Sequence, residues 1–218
     1  MLCEGVSRTH RILFTDARGR GVPWGTEALG SLLLAPWSGG SFQGQHRCTA
    51  TPVDRYLDRM LPCGQEQRIN EAEALAVLHA LVSHVEDLRD VDLTVYIDSS
   101  AAIGAIRHAY SRSLFMGCIA GEIFLWCERH QVRLWLMQVP SKLNPADPLS
   151  RLELAVAVQH GWRLVPSRQI KWTAFDPRGA CEKVGKPIKQ FTLHCGALIN
   201  MSLFCFVLFS FWLFCAFT

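Results

Sequence analysis

Two short runs in this chain, Arg11-Ile12-Leu13-Phe14-Thr15 and Leu93-Thr94-Val95-Tyr96-Ile97, are each closed by an aspartate, Asp16 and Asp98. Such runs read as buried strands. Two further acids stand at points where the local pattern turns them the same way: Glu73 opens a long helical pattern, and Asp147 sits in Asn144-Pro145-Ala146-Asp147. Carboxylates forced together in a protein interior repel, so the cluster is costly unless protons or cations neutralise it. Mg²⁺ suits such a place, because it is a hard ion held by a few carboxylates together with waters and substrate phosphates. The implied substrate is a phosphate ester.

The intervening chain decides how these acids are delivered. After the first strand (11–16), Arg18-Gly19-Arg20-Gly21 reads as a tight turn. A second strand is expected over 22–26, although Pro23 cannot donate to a ladder, and a third over 31–36, completing an antiparallel meander. From 46 to 68 the pattern lapses, with Pro52, Pro62 and Gly64 and no sustained period, and this stretch is expected to be an inserted loop with a helical turn near 54–60. Leu75, Leu78, Leu81, Val82 and Val85 then recur at helical spacing, with Asn70 as the expected N-cap and Glu71 and Glu73 in the first turn. A strand over 93–97, a helix over 101–110 behind Ser99-Ser100, a helix over 113–130, a strand over 132–139 and a last helix over 152–159 follow. A meander succeeded by alternating helices and strands predicts an α/β fold, a mixed five-stranded sheet with helices on both faces.

Composition sets the bounds. A chain of 218 residues suits one domain, here 1–165, and a tail. Hydrophobic residues at 50% and charged residues at 19% exclude global disorder. The net charge of +3 is too small to mark a nucleic-acid partner by itself, since that footprint is a clustered basic face. The 9 cysteines are scattered, odd in number and never spaced as CxxC, so they read as free thiols in a reducing compartment. Residues 1–10 hold no apolar core for a secretory signal, which places the domain in the cytoplasm or nucleus.

Beyond 165 the character changes. Lys171, Arg178, Lys183, Lys186 and Lys189 mark a basic linker over 166–196. Residues 197–218 carry no charge and seven aromatic side chains, an apolar C-terminal helix long enough to span a bilayer. With basic residues just before it, that tail would anchor the domain on the cytosolic face of a membrane. The competing reading is fortuitous translation past an old domain boundary.

Residues 11–159 carry a resemblance. Phe14-Thr15-Asp16-Ala17, the acid-bearing helix from Glu73 to Leu81, Tyr96-Ile97-Asp98-Ser99 and Asn144-Pro145-Ala146-Asp147-Pro148-Leu149-Ser150-Arg151 together resemble the ribonuclease H domain of retroelement (retrotransposon) reverse transcriptases, within the ribonuclease H-like superfamily. The resemblance covers roughly two thirds of the chain. It implies hydrolysis of the RNA strand of RNA/DNA hybrids, with no organic cofactor and with two Mg²⁺ ions, or Mn²⁺ in their place, about 4 Å apart. On this mapping Asp16 bridges both ions, Glu73 and Asp98 hold the one nearer the leaving group, and Asp147 holds the one that carries the water. Glu71 competes with Glu73, but the Ala-Leu-Ala-Val-Leu run after Glu73 matches the family's register. Ser99, Lys142 and Asn144 become the substrate contacts, and the hybrid would be read by shape and 2′-hydroxyls.

The sequence also departs from the family. No histidine lies between Gln131 and Ala146, so a proton-shuttling histidine is unassigned, and no Tyr-x-Asp-Asp precedes the domain. The chain thus reads as a detached fragment or remnant of a reverse transcriptase. Two alternatives stand beside the enzyme: a noncatalytic nucleic-acid-binding remnant, and a transposase or integrase of the same fold, which usually places a glutamate as the last acid.

Overall fold

Burial alternates along the first strand: Leu13 and Ala17 enter the main core, while Phe14 packs on the opposite face with Leu32 and Cys48. A strand covered on both faces requires this period of two. The structure is a computed structural model that describes residues 8–19, 27–53 and 68–172. In chain order these form β1 (Thr9–Arg18), β2 (Ala28–Leu33), a small hairpin of β3 (Trp37–Ser38) and β4 (Ser41–Phe42), β5 (Arg47–Pro52), helix α1 (Ile69–Ser83), β6 (Val91–Ile97), α2 (Ser100–His108), α3 (Leu114–His130) and β7 (Arg133–Gln138). A short 3₁₀ turn (Ser141–Leu143), α4 (Asp147–Ser150), α5 (Leu154–Gln159) and β8 (Arg163–Leu164) complete the described elements.

The sheet runs β7-β6-β1-β2-β5-β8. β1, β2 and β5 form the antiparallel meander, β6 joins β1 in parallel and β7 joins β6 in parallel. The mixed α/β architecture agrees with the sequence reading, but among the described residues the sheet has six strands, because β8 pairs in parallel with the edge of β5. A two-residue strand leaves no periodic signal. The main core lies between the sheet and α1, α2 and α3, filled by Leu29, Leu33, Leu75, Leu78, Leu93, Val95 and Ile119, all 0–1% exposed. On the opposite face α4 and α5 cover Leu32 and Cys48 with Leu149 and Ala157.

Four expectations are corrected here. Arg47–Pro52, expected to belong to the inserted loop, is the third strand of the meander; its inward residues are Cys48 and Thr49, too small to give an apolar alternation. The strand expected over 31–36 lies at Ala28–Leu33 and is the second of the meander, while the one expected over 22–26 lies outside the described residues. Asn70 is not the N-cap of α1, which begins at Ile69; Arg68 takes the cap position and donates through Nε to Glu27 Oε1 at 2.9 Å. Residues 166–172, expected as linker, lie on the domain: Ile170 is 2% exposed in the main core, Trp172 packs against it, and Ser167 Oγ pairs with His79 Nε2 at 2.6 Å. By contrast, Ser99 caps α2 through its hydroxyl as expected, and Ser113, expected as the first residue of its helix, caps α3 in the same way.

Among the described residues no helix is long and apolar enough to cross a membrane, and the tail over 197–218 lies outside them, as does most of the expected linker. Among the described residues, Cys48 and Cys127 are buried free thiols.

Gly30 fixes how α4 meets the sheet. It sits opposite Asp16 in the β1–β2 register, and a Cβ there would lie 2.8 Å from the carbonyl oxygen of Ala146 and 2.9 Å from the carbonyl carbon of Leu149. Those are backbone atoms that no side-chain rotation can relieve. Gly30→Ala is therefore expected to destabilise the domain by about 1–3 kcal/mol or more, read as a lower midpoint in urea unfolding at unchanged slope; an unchanged midpoint would contradict the close approach.

Candidate active site

Parallel pairing of β1 and β6 aligns Phe14 with Tyr96, whose rings stack at 4.8 Å. Two residues further along each strand direction stand Asp16 and Asp98, so the register itself places these acids side by side at the same sheet end. Glu73 arrives from α1, which crosses over β1 and β2. Its Oε1 accepts the backbone N–H of Ala17 at 3.0 Å, tying the helix to the end of β1. Each of the three carboxylates offers an oxygen within 4.8 Å of the others.

These three acids line an open pocket of about 670 Å³ together with Asn70, Ser99, Ser141, Asp147 and Arg151. Asp147 thus reaches the same pocket from the other face of the sheet, at the start of α4, but it is not one of the close trio. Its Oδ1 accepts from Arg151 Nη2 at 2.9 Å and from Nε at 3.2 Å, the spacing of one helical turn.

Supporting hydrogen bonds hold the acids in place. Asp16 Oδ1 accepts from Asn144 Nδ2 at 3.2 Å, and Oδ2 accepts from the Ser150 hydroxyl. Asn144 also donates to the Thr15 carbonyl at 2.8 Å and takes the Ala146 N–H on its own oxygen. Asp98 Oδ2 accepts from Ser141 Oγ, and Gln138 Nε2 donates to the Asp98 carbonyl.

Burial pushes the Asp16 carboxyl up to about 7; the Ser150 hydroxyl pulls against this, and the neighbouring charges of Asp98 and Asp147 reinforce it. Glu73 is held well above the usual carboxylate range, first by burial and then by the charges of Asp16 and Asp98. Its Oε2 is buried without a hydrogen-bond partner. A buried carboxylate oxygen without a donor, facing two more acids, is the arrangement a divalent cation satisfies. Hard oxygen donors from three separate elements, already oriented, fit such an ion.

The structure sorts the residues singled out from sequence. Asp16, Glu73 and Asp98 come together; Glu71 is buried but stands outside the trio. Ser99 lines the pocket, although its hydroxyl is engaged in capping α2 and in donating to Asn70 Oδ1 at 3.0 Å. Asn144, expected to touch substrate, is 4% exposed and positions Asp16 instead. Lys142 is exposed on the 3₁₀ turn and does not line the pocket. Sequence reading did not assign Gly30, Ser141, Ser150 or Arg151. For Ser150 and Arg151 a signal existed, three and four residues beyond Asp147, the spacing at which a helical turn returns a side chain to the same side.

Three antiparallel strands followed by two parallel ones beside β1, with acids at the ends of β1 and β6, form one recognisable arrangement. The fold is ribonuclease H-like. No family model matches the chain, and no curated protein matches its sequence. Among solved structures it is similar to a ribonuclease H1 from the halophilic archaeon Halobacterium salinarum, at 17% identity over 67% of this chain and 97% of that one, with a TM-score of 0.48. The N-terminal ribonuclease H domain of a Mycobacterium tuberculosis protein, solved as a fusion with maltose-binding protein, is 14% identical over 70% of this chain and 99% of that one, with a TM-score of 0.47. A further ribonuclease H1, LC11, solved in complex with RNA/DNA hybrid, is 19% identical over 64% of this chain and 92% of that one, with a TM-score of 0.45.

The acid cluster of this ribonuclease H-like domain carries a pH signature. Asp16 keeps its proton in the folded state up to about 7, against an ordinary value of 3.8, so between these values the folded protein binds a proton that the unfolded chain has lost. Its contribution to stability therefore falls as pH rises through that window and is flat above it. His79 and His84, kept neutral by burial with values pushed down to about 4 and about 3, work in the opposite sense below their ordinary 6.5. The two effects separate on adding a cation, which acts on the acids alone. The rise in Tm on replacing EDTA by excess Mg²⁺ is expected to be small near pH 5 and to reach several degrees near pH 8; a shift independent of pH would contradict a proton-loaded cluster.

Proposed function

We propose that this chain is a metal-dependent endonuclease that hydrolyses the RNA strand of RNA/DNA hybrids, derived from a retrotransposon reverse transcriptase and acting in the cytosol or nucleus. The observation that carries the reading is the trio Asp16, Glu73 and Asp98, delivered from two adjacent parallel strands and a crossing helix to within 4.8 Å at the floor of an open pocket. Asp16, Glu73 and Asp98 would hold one Mg²⁺, and Asp16 with Asp147 a second. When bound, such ions polarise the phosphoryl oxygens and make water a better nucleophile at neutral pH.

The chain's own residues do the rest. Asn144 and Ser150 fix both oxygens of Asp16, so that its carboxylate is presented in one orientation and reorganises little during reaction. Ser141 holds Asp98 in the same way. Glu73 Oε2, buried and without a donor, keeps its lone pairs aimed into the cluster. The pocket is polar, shallow and flanked by Asn70 and Ser99, a surface for a sugar-phosphate backbone more than for a base edge. Cleavage should then depend on the hybrid's shape and its 2′-hydroxyls and very little on sequence.

The test is cleavage of a labelled RNA/DNA hybrid by the full chain in Mg²⁺, with Asp98→Asn as the control. Replacing a direct ligand is expected to cost more than the roughly 10–100-fold typical of outer-shell partners. Equal cleavage by the two proteins would refute the reading. Hybrid binding without metal-dependent cleavage would point to a noncatalytic binding remnant, and strand transfer on DNA without hybrid cleavage to a transposase-type enzyme.

A further inference from the structure

The fourth acid is already occupied by a cation of the chain's own. Arg151 sets Nη2 and Nε against Asp147 Oδ1 at 2.9 and 3.2 Å, and both residues line the pocket that contains the trio. The position is not incidental, because the backbone of α4 is pressed on Gly30 and Ser150 is committed to Asp16, so the first guanidinium beyond the helix has little choice of side. The two ends of the pocket therefore differ. At one end Glu73 Oε2 is buried and has no donor; at the other, Asp147 has its positive partner in place.

That partner is held loosely. The Arg151 side chain is 52% exposed and that of Asp147 31%, and an exposed pair at this helical spacing gains little over solvated charges. A phosphodiester is a good competitor for a guanidinium, which binds phosphate oxygens through a planar fork. We propose that Arg151 is the resident cation at the Asp147 end, so that the free protein takes one divalent ion at Asp16, Glu73 and Asp98, and that a phosphodiester admits a second by drawing the guanidinium off Asp147. The inference rests on the reading of the trio as a metal site. It makes Arg151 a positioning residue that couples arrival of a substrate phosphate to completion of the ion pair.

Mn²⁺ titration of the full chain, followed by loss of the free-ion paramagnetic resonance signal, tests this without turnover. The wild type is expected to bind one ion, and Asp98→Asn to lose it. Arg151→Ala is expected to keep that ion, which shows that the fold is intact, and to bind a second at least roughly tenfold more tightly than the wild type does. Adding Asp147→Asn should abolish the second ion, and Arg151→Lys should restore the count of one. An RNA/DNA hybrid that keeps its 2′-hydroxyls, read before it is cleaved and against a blank of hybrid alone, should raise the wild-type count from one to two. Two ions in the free wild type, or one in Arg151→Ala with unchanged affinity for a second, would overturn the role of Arg151 and leave the metal site standing. Absence of any ion that depends on Asp98 would overturn both readings.

Discussion

Parallel pairing of β1 with β6 is the constraint on which the rest depends. Once Phe14 stacks on Tyr96, the chain directions carry Asp16 and Asp98 out of the same end of the sheet, and no loop has to place either of them. The remaining elements are then obliged to deal with two neighbouring carboxylates. Helix α1 adds a third, and its buried length, from Ala72 to Leu81, fixes that helix as rigidly as a core strand. A mobile loop bearing Glu73 would swing away from the repulsion; a helix packed through nearly every turn does not.

The scaffold answers that repulsion with directed dipoles more than with charge. Asn144 and Ser150 are buried neutral donors on Asp16, and the Ala17 amide is the donor on Glu73. Neutral donors lower the cost of ionisation without cancelling the charge, whereas a buried ion pair would have satisfied the acids and closed the site to outside cations. Buried Arg68, by comparison, is spent on Glu27, away from the cluster. Among the described residues, the guanidinium that does reach the pocket, Arg151, stands at its exposed rim.

The parts of this architecture legible in the sequence were those that rest on long apolar side chains or on caps. Leu13, Leu93 and Val95 announced their strands, the leucine spacing announced α1, and Ser99 before α2 acts as its position suggested. What escaped was built from small or polar residues. Arg47–Pro52 buries only Cys48 and Thr49 and pairs through its backbone, so its place in the sheet is visible in the ladder with β2 and nowhere in its hydropathy. Asn144, which the resemblance implied as a substrate contact, lies where the loop folds inward, and its amide is consumed by Thr15 and Asp16. Gly30 was unreadable for a related reason: what matters at that position is the absence of an atom. Of the four acids singled out, Asp16, Glu73 and Asp98 form a close trio, while Asp147 lines the same pocket outside it, paired with Arg151 one helical turn on.

The segment from Ser167 to Trp172 alters what counts as the domain. It returns across α1, seats Ile170 in the main core and gives buried His79 its hydroxyl partner. Arg168 adds a backbone hydrogen bond to Ser83 and an ion pair with Glu86 near the end of the same helix. The helix that carries Glu73 is therefore buttressed from behind by residues that lie beyond the last strand. A boundary drawn where the sheet stops would take Ile170 out of the main core and strip the back of the acid-bearing helix to water.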